Sequence, residues 1–363
     1  MKEKLREIAD ITMEQSPSSF FYNNRREGIP FLQGCTTFGR LHPTYDTWTT
    51  SYNKLARPGD ILFTVRAPVG DINLCQTETA IGRGIASIRA REVEPRYLFY
   101  LLKANKGSFT SSSFGTIYQS INKDKLGDVV LDIHDASEQR YIVGVIGSVD
   151  DLIENIESQE KAIINVLSAH FSKFSSRTLV PFRFYDPVII KPKIDSFIDE
   201  KIYLDTSSID GIDPVDYSYT VTYDNRPSRA SMRPTIGSVW TAKMKKSFKV
   251  LAITDLDQKI LNGCILSTGF LGIQSLPSLS QSLLFSLFIS EQFRTNKDLS
   301  STGATMEAIN NKNFLSLSVP KISREEMDEY EMVCSPFLKE LSVLREKKIN
   351  LKEIKKNLLS KYF

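Results

Sequence analysis

The chain has 363 residues, 41% of them hydrophobic and 25% charged, and a net charge of +3. That length accommodates two domains with cores of their own, and a balance this close to neutral leaves any polyanion contact to local clusters of Lys and Arg. Four separated cysteines without a CxxC pair and three scattered histidines argue against a zinc module and suit a reducing cytoplasm; no apolar run reaches the ~18 residues of a membrane span, and the charged start MKEKLREIADI does not read as a signal peptide.

In chain order, residues 1–135 read as a first globular segment. Strand-like runs at Ile61 to Val65, Ile85 to Ile88 and Val129 to Ile133 lie between Pro/Gly turns such as Pro58-Gly59-Asp60 and Gly82-Arg83-Gly84, the pattern of a twisted, barrel-like sheet. A helix is expected from about Pro95 to Lys103, then a Ser/Thr/Gly loop from Ser108 to Gly115.

Residues 136–177 read as a long helix. Asp135-Ala-Ser-Glu138 is a capping box, and Ile142, Val145, Val149, Leu152, Ile156, Gln159, Ile163 and Val166 recur at alternating steps of three and four, a heptad seam with one polar member. Residues 178–320 form a second globular segment. Residues 321–363 repeat the helix: Ser323-Arg-Glu-Glu326 is again a capping box, and Phe337, Leu344, Leu351 and Leu358 recur every seven residues, interrupted by Lys347-Lys348. Two such helices, each ~55 Å long at 1.5 Å per residue, cannot bury a seam alone. They are expected to pair antiparallel, with a globular domain at each end.

The chain also repeats itself. FGTIYQSIN (Phe114 to Asn122) returns as TGATMEAIN (Thr302 to Asn310) at an offset of 188, Leu98 to Leu102 aligns with Leu284 to Phe288 at 186, and Gly59 with Gly237 at 178. The expected class is α+β, two related globular domains and two long helices with a pseudo-two-fold internal repeat.

No catalytic motif stands out. Asp186-Pro-Val and Asp213-Pro-Val lack the second Pro and the aromatic that an amino-methyltransferase needs. Glu346-Lys-Lys348 and Glu353-Ile-Lys355 resemble part of a nuclease motif but fall on the last helix, where such pairs are ordinary solvated residues. No Walker or Rossmann spacing is present, and no metal site is expected. The chain is therefore read as non-catalytic. What both halves do carry is basic loops: Asn23, Asn24, Arg25 and Arg26; Arg66 after a strand; Arg83 between glycines; then Arg226, Arg229 and Arg233 in NRPSRASMRP, and Lys243, Lys245 and Lys246. Arg and Lys serve phosphate and guanine, Asn and Gln serve adenine. Ser/Thr/Gly loops at Ser111–Thr116 and Ser300–Thr305 could bring backbone N–H groups to phosphate, and Thr116, Tyr118, Gln119 and Thr305 complete the candidate DNA contacts.

Together these residues resemble the specificity subunit of a Type I restriction–modification system. The family's phrasing shows in IADITMEQSPSSFFYNNRREGIPFLQG from Ile8, RPGDILFTVRAPVGDINL (Arg57 to Leu74), AIGRGIASIRA (Ala80 to Ala90) and FGTIYQSINKDKL (Phe114 to Leu126); the second half resembles another target-recognition domain through VWTAKMKKSFKVL, ILSTGF and STGATMEAIN. The stretch from Pro181 to Ser231 carries no quotable likeness. The resemblance implies a target-recognition domain in 1–135 and another in 178–320, each reading half of a split double-stranded DNA target. It implies that the helices set the unread gap, that two copies of a DNA adenine methyltransferase subunit dock on them, and that a restriction/translocase subunit joins for cleavage. S-adenosylmethionine, Mg²⁺ and ATP would then belong to the partners, with none bound by this chain. The other readings are a two-domain protein-binding assembly scaffold without DNA specificity, and a recognition module of a fused restriction enzyme.

Overall fold

The structure is a computed structural model that describes residues 1–13, 16–111, 120–215, 217–303 and 307–363. The chain forms two compact units. One comprises Met1–Leu152 with Lys352–Phe363, the other Ile153–Leu351, so the division cuts both long helices instead of setting them apart.

In the first unit, β1 (Ala9–Met13), β2 (Ile61–Thr64), β3 (Ile72–Leu74) and β4 (Ile85–Ala90) form an antiparallel sheet in the order β1-β4-β2-β3. All four β2 residues are buried, as a central strand covered on both faces requires. A five-stranded sheet adjoins it, with one parallel pair between Ile29–Leu32 and Thr79–Ile81. Helix α1 (Pro95–Ala104) opens on Glu94, whose carboxylate accepts from the Tyr97 N–H; Tyr97 to Leu102 are all buried, the sign of a helix enclosed on every side. Helix α2 (Lys123–Gly127) is capped by the Asn122 side chain, which accepts from the Lys125 N–H at 2.9 Å. Strand Val130–Asp132 then pairs with Lys2–Lys4, and the chain enters α3 (Ala136–Ser172) through a reciprocal capping box between Asp135 and Glu138.

The second unit uses the same plan. Its strands β5 (Val188–Ile190), β6 (Ser238–Ala242), β7 (Val250–Ile253) and β8 (Phe270–Gln274) lie in the order β5-β8-β6-β7, all antiparallel. Taken in chain order, both sheets run first-fourth-second-third. A second, mixed sheet again holds one parallel pair, Lys201–Leu204 with Cys264–Ser267. Helix α4 (Gln281–Ile289) starts on Ser280. Helix α5 (Asn311–Leu315) is capped by Asn310, whose side chain accepts from the Asn313 N–H at 2.9 Å. The repeated Asn of the sequence thus has one local task in both places, satisfying a free N–H of a helix start. Strand Ser318–Pro320 pairs with Leu179–Pro181, and Ser323 and Glu326 cap α6 (Arg324–Tyr362) reciprocally. The architecture mixes helix and sheet, and among the described residues no sheet closes into a barrel, against the barrel-like expectation. No described helix is long and apolar enough to cross a membrane.

The buried face of α3 corrects the expected seam. Ile142, Val149 and Ile156 are buried and Ile163 is half-buried, as expected, but the alternate positions are displaced by one residue. Ile146, Ile153, Glu160 and Leu167 are buried, whereas Leu152 and Val166 are 54% and 42% exposed, Gln159 is exposed and Val145 is only half-buried. The step from Ile142 is four residues rather than three, and the buried polar member is Glu160, not Gln159. On α6, Leu344 is buried and Phe337, Leu351 and Leu358 are half-buried. Lys348 does not interrupt the buried face; it lies within it, as do Arg345 and Lys355.

Ion pairs explain this polar content. In the first unit, fully buried Asp150 of α3 accepts from Lys355 of α6 at 2.6 and 2.7 Å, from Arg40 at 2.5 Å and from the Tyr100 hydroxyl at 2.8 Å. In the second unit, Glu160 of α3 meets Lys348 of α6 at 2.5 Å; Lys348 also meets Asp213, and Arg345 bridges Asp213 at 2.9 Å and Asp257 at 2.5 Å. Within each unit the two helix segments therefore run antiparallel: Tyr141 meets Tyr362 where Asp150 meets Lys355, and Glu160 meets Lys348 where the Tyr330 hydroxyl donates to the Leu167 carbonyl. Buried pairs of this kind add little net stability but are costly to break singly.

Candidate nucleic-acid interface

In the first unit the expected loops meet around Gln33. Tyr22, in a short strand, accepts from the Gln33 amide at 2.9 Å, and the turn Gly82-Arg83-Gly84 lies against the same residue. A Cβ on Gly84 would stand 1.9 Å from the Gln33 carbonyl oxygen, and one on Gly82 2.6 Å from Ser16 Oγ. The backbone approach requires glycine at 84, and side chains crowd position 82; between them the Arg83 side chain is exposed, while the Arg83 backbone N–H donates to Ser16 Oγ at 3.1 Å. Arg66 belongs to the same ridge. The Val65 N–H donates to the Gly84 carbonyl, and Arg66 bridges to Ser120. Its side chain is exposed and has no carboxylate partner among the described residues.

The loop at residues 23–26 is more committed to itself. Asn23 Oδ1 accepts from the Arg25 and Glu27 N–H groups, both at 3.1 Å, and its amide donates to the Glu27 carbonyl. That side chain fastens the turn. Arg25 pairs with Glu27 at 3.2 Å, Arg26 lies 5.6 Å from the Trp48 ring centre in left-handed backbone, and Asn24 is exposed. Thr116, Tyr118, Gln119 and Thr305 lie outside the described residues.

In the second unit the basic residues separate into two groups. One group converges on Thr268: its N–H donates to the Arg229 carbonyl at 2.9 Å, and its carbonyl accepts from Lys243 Nζ at 2.7 Å. The same Thr268 lines a groove of about 420 Å³ with Lys191, Lys193, Tyr223, Arg226 and Met232. The Arg226 guanidinium lies over the Tyr223 ring, 4.0 Å from its centre, and donates to the Tyr223 carbonyl. Burial, with the nearby Lys191 charge, lowers the pKa of Lys243. The other group is neutralised locally: Arg233 pairs with Asp195 at 3.0 Å and Lys245 with Glu307 at 2.9 Å, while exposed Lys246 sits in left-handed backbone with its N–H on Asp298.

Lys191 and Lys193 are exposed, and the sequence reading missed both. Their signal was the alternation Val188-Ile-Ile-Lys-Pro-Lys-Ile194, which puts the two lysines on one side of an extended segment, in a stretch without a recognisable counterpart. A groove of cations, a cation–π Arg226–Tyr223 contact and backbone groups can hold a polyanion's phosphates. Among the described residues no group of His, Cys, Asp and Glu is arranged to hold a metal ion.

Residues 1–166 match the family described as Type I restriction modification DNA specificity domain. A putative Type I restriction enzyme MjaX specificity subunit from Methanocaldococcus jannaschii is 36% identical over 166 residues, 43% of this chain and 39% of the relative. The match thus spans about two fifths of that relative's length. The HsdS subunit from Thermoanaerobacter tengcongensis is 39% identical over 40% of this chain and 35% of its own, with a TM-score of 0.36. The S subunit of a Type I restriction–modification system from M. genitalium is 13% identical with a TM-score of 0.59, covering 100% of this chain and 96% of that one; at that identity the likeness shows the fold alone.

Proposed function

We propose, from the premise that residues 1–166 carry a Type I restriction modification DNA specificity domain, that the whole chain is the non-catalytic specificity subunit of such a system. In this reading each unit reads one half of a split duplex sequence. The observation that carries it is the second unit. It repeats the strand order of the matched domain while gathering Lys191, Lys193, Arg226, Arg229 and Lys243 around one groove and Thr268. A duplicated frame with its own cationic surface is what a two-part reader needs.

The helices would set the unread gap, and two copies of an adenine methyltransferase subunit would dock on them. A restriction/translocase subunit would join for cleavage, all in the cytoplasm, with S-adenosylmethionine, Mg²⁺ and ATP held by the partners.

The test is duplex binding by the chain assembled with its methylating partner, across salt concentrations. Replacing Lys191 and Lys193 by Met should weaken all sequences alike and lower the salt slope by about two units, near 0.9 for each phosphate left without its lysine. Replacing Arg83 or Arg229 by Ala, if that residue reads a base, should cost ~1–3 kcal/mol and relax one half of the target only. Wild-type affinity and slope in all of these variants would overturn the assignment, as would methylation of DNA by the chain alone.

A further inference from the structure

A second cationic pocket lies in the first unit. It has a volume of about 400 Å³ and is lined by Cys35, Arg40, Asp71, Asn73, Lys103 and Lys106, among others. Arg40 is tied to Asp150 and Lys106 to Asp71. Lys103, in the last turn of α1, is different. Among the described residues its ammonium has no carboxylate partner and donates to no acceptor; it rests over the face of Phe99, 5.5 Å from the ring centre. Three cations and one carboxylate therefore face a half-enclosed space, and Lys355 adds a fourth cation behind them, on Asp150. Burial, then Lys355, pushes the Lys103 ammonium down to about 8, the response of a cation among like charges.

The second unit has no counterpart. At the offset of 186 that matches Leu98 with Leu284, Lys103 falls on Ile289, a buried core residue. The lysine is therefore not part of the shared frame, which fills the position with hydrocarbon. Lys103 is half-buried at the wall of this open pocket, and a partly desolvated cation without a partner is favoured by an anion beside it.

We propose that this pocket binds a phosphate group, with Lys103 as its principal ligand and Arg40 and Lys106 as flanking charges. The phosphate comes either from a small free phosphate or from a DNA backbone; the chemistry of recognition is the same. This inference does not rest on the proposed function.

The experiment compares thermal unfolding of the full chain in inorganic phosphate and in chloride at matched ionic strength. Phosphate should raise the wild-type Tm by about 2–4 °C beyond chloride. Lys103→Met should lose that difference and Lys103→Arg should keep it. General exclusion of phosphate from protein surfaces stabilises every variant equally, so an equal rise in all three overturns the site. Should Lys103→Met fail to fold, dimethyl-lysine ¹³C NMR on the wild-type chain decides: a Lys103 pKa that climbs with phosphate supports the site, and an unmoved one overturns it. A random-sequence duplex separates the sources. If it abolishes the phosphate effect, and Lys103→Met lowers the salt slope of duplex binding by about one unit, the phosphate is DNA's. If duplex binding is unchanged in Lys103→Met and the phosphate effect persists beside the duplex, the ligand is free phosphate.

Discussion

The two units solve the same packing problem with opposite charge surpluses. Each brings a segment of α3 against a segment of α6 and places an ionic cluster where they meet. In the first unit one carboxylate, Asp150, serves two cations, Arg40 and Lys355. In the second, three carboxylates, Glu160, Asp213 and Asp257, share two cations, Arg345 and Lys348. The consequences follow the sign of the surplus. Near Asp150 the unmatched group is a lysine, and Lys103 is held down. Near Asp213 the unmatched group is a carboxyl. Burial and the Asp213 charge push Glu160 up to about 7 against the pull of Lys348, and its Oε1 has no hydrogen-bond partner among the described residues. Asp150 goes the other way: burial opposes its charge, but Lys355, Tyr100 and Arg40 hold its carboxyl below the usual range. The two units thus share a strand order while the charges between their helix segments differ.

This contrast can be broken most forcefully at Asp150, because it is fully buried and holds both Lys355 and Arg40. Asp150→Ala should cost about 3–5 kcal/mol in urea unfolding, since buried Lys355 loses its carboxylate and half-buried Arg40 loses its bond to Asp150. Adding Lys355→Met should recover part of that loss. A cost below about 1 kcal/mol for the single variant would mean that the cluster does not fasten the first unit.

A smaller effect tests the shared frame itself. Asn122 and Asn310 cap α2 and α5 in the same way, so Asn122→Ala and Asn310→Ala should each cost about 0.5–2 kcal/mol. The two losses should agree within about 1 kcal/mol, and a wider disparity would show that the repeated Asn residues are not equivalent.

The subtlest prediction concerns Glu160. The folded chain keeps its proton up to about pH 7, whereas an ordinary Glu releases it near 4.5. Folding therefore takes up a proton between those values, and this group's stabilisation, complete below about pH 4.5, is lost as pH rises toward 7. Glu160→Gln should flatten that part of the stability–pH curve and change stability at pH 5 by less than about 1 kcal/mol. An unchanged slope would place the titration elsewhere. Asp213, held low by Arg345 and Lys348 despite its burial, contributes the opposite dependence only at more acidic pH.

Much of the frame was legible in the chain. The strands at residues 61–64 and 85–90, the helix from Pro95 and both capping boxes follow from local chemistry: β-branched runs between Pro/Gly turns, a Pro at a helix start, an acceptor three residues ahead of a Glu. The basic loops were legible as loops. Which of their charges stay available was not, because Asp195 lies 38 residues from Arg233 and Glu307 lies 62 from Lys245. Lys191 and Lys193 went unread because alternation marks a side of a strand and not what that side faces.

The sequence by itself determined that there are two long helices, and where they start. It did not determine which column of α3 is buried. Val145 stands beside Ile146, Leu152 beside Ile153 and Val166 beside Leu167, so hydrophobicity ranks the two columns almost equally. The tie is broken by residues far along the chain. Glu160 is buried because Lys348, 188 positions later, meets it, and a charge enters the interior only where its partner already waits. That partner is chosen by the tertiary structure alone.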